Sequence, residues 1–186
     1  MNIIGYIRDS ISGIFRKEAT VDSTICGLGN RFDPTTGSMY YANRNEKAEA
    51  WLHSIGVHNY DICDGFVHVV GDVIIDIPLN MQLGRLPIQF GYVSGNFICR
   101  ANDLESLVGC PSEVGGNFYC YGNKLTSLEG GPKEVGGDFN CENNMLTALE
   151  GGPTEVGGDF LCSYNFFNDD PTRDLDIHVG GVVLWL

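Results

Sequence analysis

Sulfur and carboxylate are the reactive groups that this chain repeats. Cys99, Cys120, Cys141 and Cys162 recur at a constant interval, and evenly spaced thiols admit three readings: disulfides, a metal site, or buried apolar packing. Carboxylates recur at the same interval, with Glu113, Glu134 and Glu155 in one column, Glu129 and Glu150 in a second, and Asp138 and Asp159 in a third. Such columns suit divalent cations or a basic partner, or simply keep a protein soluble. His58, Cys63, Asp64 and His68 lie close together in the chain, but their spacing matches no strong metal-ligand pattern. No Ser-His-Asp set, phosphate-binding glycine loop or zinc-hydrolase motif is present. The expectation is a chain that is not an enzyme and that uses no cofactor and no metal.

The 21-residue interval belongs to a whole unit. Val93, Val114, Val135 and Val156 keep it, as do Phe97, Phe118, Phe139 and Phe160, and Asn102, Asn123, Asn144 and Asn165. Leu104, Leu125 and Leu146, Leu107, Leu128 and Leu149, and Pro111, Pro132 and Pro153 keep it too. One copy cannot bury its own apolar side chains, so copies must stack. The Phe-x-Cys alternation has the period of a strand, and the Gly pair before it marks a turn. The unit therefore predicts one short strand per turn and a parallel β-solenoid with inward columns of Phe, Cys, Leu and Val. The Asn column falls just after the strand, where a short amide can satisfy backbone groups at the bend. Imperfect copies extend the array. Gly71–Ile75 reads as an earlier strand, and Val179–Trp185 matches Val156–Cys162 after a two-residue insertion, which gives six strands with Trp185 closing the core.

That geometry decides between the readings of the thiols. In-register side chains on neighbouring parallel strands stand about 4.8 Å apart, wider than the Cβ separation of about 3.5–4.5 Å in a disulfide. Four sulfurs in a row span about 14 Å and cannot converge at the roughly 2.3 Å that zinc demands. Buried free thiols acting as small hydrophobes remain, and reduced thiols imply the cytoplasm.

If Phe and Cys point inward, the residues between them point outward. The predicted partner-binding face is Ile98 and Arg100 in one turn, Asn117, Tyr119 and Tyr121 in the next, Asp138, Asn140 and Glu142 after that, then Leu161. Its mixture of Tyr, Arg, aliphatic and acidic side chains suits a protein interface.

The segment Phe118-x-Cys120-x-x-Asn123-x-Leu125-x-x-Leu128 resembles the short bacterial leucine-rich repeat and is similar to repeats of phage and bacterial proteins. The resemblance covers about residues 65 to 186. It implies a leucine-rich-repeat-like solenoid that binds a macromolecule on its sheet face, without the ubiquitin-ligase domain that some secreted relatives carry. On this resemblance the expected role is a phage or bacterial accessory protein that binds and modulates a host or defence protein. A structural or assembly part, and an acidic mimic of nucleic acid, are the alternatives.

The unit occupies residues 71–186, leaving 1–70 as an N-terminal helical and loop cap. Ile3, Ile4, Ile7, Ile11, Ile14 and Phe15 fall at helical spacing. A second helix is expected at 45–54, ending near Gly56, and residues 18–44 read as loop with a short hairpin. The net charge is −13, and residues 71–186 hold sixteen Asp and Glu against five Lys and Arg, a balance of −11. Acidity of this kind disfavours nucleic acid and anionic membranes as direct partners. No apolar run is long enough to span a bilayer.

Overall fold

The computed structural model describes residues 30–33, 38–41, 45–77, 83–173 and 176–185. The helix expected from Ile3 to Phe15 lies outside them, as do Cys26 and Leu186. Two strands, β1 (Asn30–Asp33) and β2 (Ser38–Tyr41), pair antiparallel, the short hairpin expected between residues 18 and 44. Helix α1 (Asn45–Ser54) follows where its apolar spacing placed it. It ends on Gly56 at φ 77°, with Gly56 N donating to His53 O at 3.1 Å and Val57 N to Leu52 O at 2.9 Å. Only glycine takes this left-handed turn without strain, and the paired bonds satisfy carbonyls that the helix end leaves open. Val57 and Leu52, brought together by that turn, are both buried.

A second antiparallel hairpin, β3 (Tyr60–Cys63) and β4 (Phe66–Val69), leads into the stack. The stack is then built from β5 (Val73–Ile74), β6 (Phe90–Val93), β7 (Phe97–Ile98), β8 (Glu113–Val114), β9 (Phe118–Tyr119), β10 (Glu134–Val135), β11 (Phe139–Asn140), β12 (Glu155–Val156), β13 (Phe160–Leu161), β14 (His178–Val179) and β15 (Val183–Leu184). These strands form two sheets: seven strands in the order β3-β4-β6-β8-β10-β12-β14, and six in the order β5-β7-β9-β11-β13-β15. All neighbours after β3 are parallel. The parallel β-solenoid is therefore present, but each turn carries two strands where the sequence pattern suggested one. In the three regular copies the extra strand is only Glu-Val, just ahead of the Gly pair, too short to show an alternation.

The Gly pair makes the corner between the two sheets. A Cβ on Gly136 would run into the carbonyl oxygen of Gly115 in the turn before, and one on Gly137 into Oδ1 of Asn117. Both positions are filled by neighbouring turns, so the stacking distance itself selects glycine.

Inside, the Phe column stacks face on face, with ring centroids 5.6 Å apart for Phe97 and Phe118, 5.3 Å for Phe118 and Phe139, and 5.0 Å for Phe139 and Phe160. The rings are fully or almost fully buried, each burial contributing roughly 1.5–3 kcal/mol. At the α1 end Phe90 meets Phe97 edge-on at 5.2 Å, and Trp51 meets Phe90 at 6.2 Å. At the other end the register Leu161–Leu184 sets Trp185 in line with Cys162, and Trp185 packs partly buried against the core, as expected.

The Asn column supplies the polar half of the interior. Asn144 Oδ1 accepts from Leu125 N at 3.1 Å, and its Nδ2 donates to Cys120 O and Cys141 O, each at 3.1 Å. Asn123 and Asn165 repeat the arrangement one turn away on either side. One buried amide thus satisfies backbone groups of two turns at once, which water could not reach.

Candidate partner-binding face

The outer face of the six-stranded sheet holds the predicted residues in three lanes that run from turn to turn. In the middle lane Ile74, Ile98, Tyr119, Asn140, Leu161 and Leu184 are consecutive register partners. Ile74 is 51% exposed and Leu184 48%, at the two ends of the lane. Ile98, Tyr119 and Leu161 are half-buried by their neighbours. Asn140 is the departure. It is only 9% exposed, because its Oδ1 accepts from Glu142 N at 3.0 Å while its Nδ2 donates to Glu142 Oε2 at 3.1 Å.

The lane beyond the strand ends contains Arg100, Tyr121 and Glu142. Arg100 is exposed and its guanidinium lies 5.7 Å from the centre of the Tyr121 ring, a cation–π distance. Tyr121 in turn packs against Tyr119 at 6.3 Å, tilted by 56°. Burial, and then the neighbouring Asp138 carboxylate, raise the pKa of the Tyr119 phenol. Arg100, Tyr121 and Tyr119 therefore form one contiguous group, with the Asp138 carboxylate near Tyr119.

The lane preceding the strands has a second task that sequence reasoning missed. Asn117 Oδ1 accepts from Asp138 N at 2.7 Å, Asp138 Oδ1 from Asp159 N at 2.9 Å, and Asp159 Oδ1 from Val182 N at 3.0 Å. Asp72 and Asn96 do the same at the start of the series. Asn117 and Asp138 thus face outward but bind the turns together. The clue in the sequence is that this column admits only Asp and Asn from residue 72 to residue 159.

The seven-stranded sheet presents a different surface. Its outward column reads Tyr92, Glu113, Glu134, Glu155 and His178, all in register. Tyr92 stands one full repeat before Glu113, in the Glu position of an earlier copy, and this too was legible and overlooked. It is 9% exposed, and its hydroxyl has no hydrogen-bond partner among the described residues. Burial, with Glu113 adding to it, pushes the phenol up to about 12. His68 from β4 lies over Gly91, where a Cβ would collide with the imidazole. Burial holds the pKa of His68 below its ordinary value, against the opposing pull of Asp61 and Glu113.

Among the described residues no group of three or more His, Cys, Asp or Glu side chains is arranged to hold a metal ion. Cys99, Cys110, Cys120, Cys141 and Cys162 are buried free thiols, and burial raises the pKa of Cys110, Cys120 and Cys141 well above the ordinary thiol range. Cys63 is disulfide-bonded, so thiol state alone does not assign a compartment. No helix among the described residues is long and apolar enough to cross a membrane. No family model, curated protein or solved structure matches this chain.

Proposed function

We propose that the chain is a non-enzymatic protein-binding module of the leucine-rich-repeat-like kind, and that its partner docks on the outer face of the six-stranded sheet. The observation that carries this reading is the contiguous group Arg100–Tyr121–Tyr119 at the middle of that face, with the Asp138 carboxylate near it. Paired tyrosines offer large contact area with few torsions left to freeze, and here their neighbours have already restricted them. Half-buried Ile98 and Leu161 flank the group in the same lane. By its repeat phrase we read the chain as a phage or bacterial accessory protein that acts in the cytoplasm and modulates a host or defence protein. The bonded state of Cys63 runs against that placement, so detection of reduced Cys63 in natively purified protein would support it and an intact disulfide there would count against it.

A second reading is favoured by the register of Glu113, Glu134 and Glu155. A basic nucleic-acid-handling protein would then sit on the seven-stranded sheet. Capture from host extract separates the two. Immobilised wild-type chain is compared with a Tyr119→Ala/Tyr121→Ala variant and with a variant carrying lysine at Glu113, Glu134 and Glu155. Loss of the captured protein in the tyrosine variant alone supports the six-stranded face. Loss in the glutamate variant alone transfers the site to the acidic column, and retention by both removes both readings.

A further inference from the structure

The shape and charge of the six-stranded face narrow the kind of partner it accepts. Six register-paired rungs give five steps of about 4.8 Å, a lane about 24 Å long. Three outward positions per rung, two residues apart at about 3.3 Å per residue, make it about 13 Å wide. A strip of that width matches one α-helix, whose diameter is about 10–12 Å. The pitch agrees as well: a helix presents a new turn every ~5.4 Å, about 0.6 Å from the rung spacing, so contacts drift by only about 3 Å along the whole lane. An extended segment on the same axis returns a side chain to the face every ~6.6 Å and falls out of step by about 2 Å at each rung.

The lane is apolar along its middle except at Asn140, whose amide is turned to Glu142, and acidic at its margins. Asp72, Asp76, Asp138, Glu142 and Asp159 lie on either side of it, against Arg100 alone among the described residues. We propose that this face takes a basic amphipathic helix of about 16 residues, lying along the solenoid axis with its apolar stripe on the lane and its lysines or arginines at the margins. This rests on the reading of the same face as the protein-binding site. The strip is smaller than the roughly 800 Å² per partner of a standard interface, so the complex is a weak, fast-exchanging one.

Fluorescence anisotropy with the full chain tests it, using synthetic peptides of about 18 residues, long enough to cover the lane. Three share one apolar stripe: the first has lysine flanks, the second glutamate flanks, and the third lysine flanks with a central proline. The lysine helix should bind at least about tenfold tighter than the glutamate helix, with the advantage shrinking as salt rises. The proline peptide should lose most of that affinity. Tyr119→Ala/Tyr121→Ala should weaken the lysine helix by about thirtyfold. Where that variant folds poorly by circular dichroism, Asp76→Lys at an exposed margin should still weaken it severalfold. Equal binding of the acidic peptide, equal binding of the proline peptide, indifference to the face variants, or no binding at all overturns the inference. If the capture experiment still retains a protein through Tyr119 and Tyr121, the protein-binding reading survives and only the helix falls.

Discussion

The two sheets of the solenoid share one stacking step, yet their outer faces follow different rules. The seven-stranded sheet repeats itself outward, with Glu113, Glu134 and Glu155 on successive strands. The six-stranded sheet reads Ile, Ile, Tyr, Asn, Leu, Leu along its outward lane. Inward, both are uniform: Val69, Val93, Val114, Val135, Val156 and Val179 stand in one column, and four phenylalanines in another. Close packing enforces uniformity inside, because each ring or methyl must meet its own kind at one distance. Neither outer face is under that constraint. Variety on one of them is therefore not a requirement of the stack and is available for recognition.

The contrast breaks down first if the interior is not shared. Phe139 stacks between Phe118 and Phe160, so Phe139→Ala should cost about 3–5 kcal/mol and loosen both sheets together, as read by denaturant unfolding. Alkali should strike the same interior from another direction. Burial pushes Cys162 up to about 12 and raises Cys120 and Cys141 as well. The unfolded chain ionises these thiols from about pH 8.5 upward, while the folded chain keeps them protonated. Stability is then intact below that pH and falls as pH rises toward 12, measurable as a falling melting temperature.

Asn144→Ala should come next. It strands Leu125 N and takes one of two amide donors from each of Cys120 O and Cys141 O, which keep Asn123 and Asn165, at a cost of about 1–3 kcal/mol by the same unfolding measurement. On the outer face the sign of the contrast changes: Tyr119→Ala/Tyr121→Ala should alter stability by less than about 1 kcal/mol and binding by about 2 kcal/mol or more. The smallest effect belongs to the acidic column. Replacing Glu113, Glu134 and Glu155 with glutamine relieves repulsion worth at most about 1 kcal/mol per neighbouring pair in water. The expected result is a slight rise in melting temperature that disappears at high salt.

Periodicity made the stack, its inward Phe and Cys columns, the role of the Asn column and helix α1 legible, because each depends on residue type at a fixed interval. The Glu-Val strands escaped notice because two residues carry no alternation. The double duty of Asn117 and Asp138 escaped because facing outward was equated with being free, whereas a short side chain on a parallel stack can reach the next turn's backbone. The burial of Asn140 was invisible for a related reason. It depends on a local bond to Glu142, a pair that occurs in one copy of the repeat only.

The Asp and Asn series has a consequence for how such a molecule changes over generations. Asn117 holds Asp138, Asp138 holds Asp159, and each junction presents the same acceptor to the same donor. Any turn is thus an acceptable neighbour for any other. Duplicating one 21-residue unit between Pro111 and Pro153 lengthens the stack by about 4.8 Å without creating a new kind of contact, and deleting one shortens it by as much. Reach is set by copy number and selectivity by two or three side chains per copy, so the two can be altered independently.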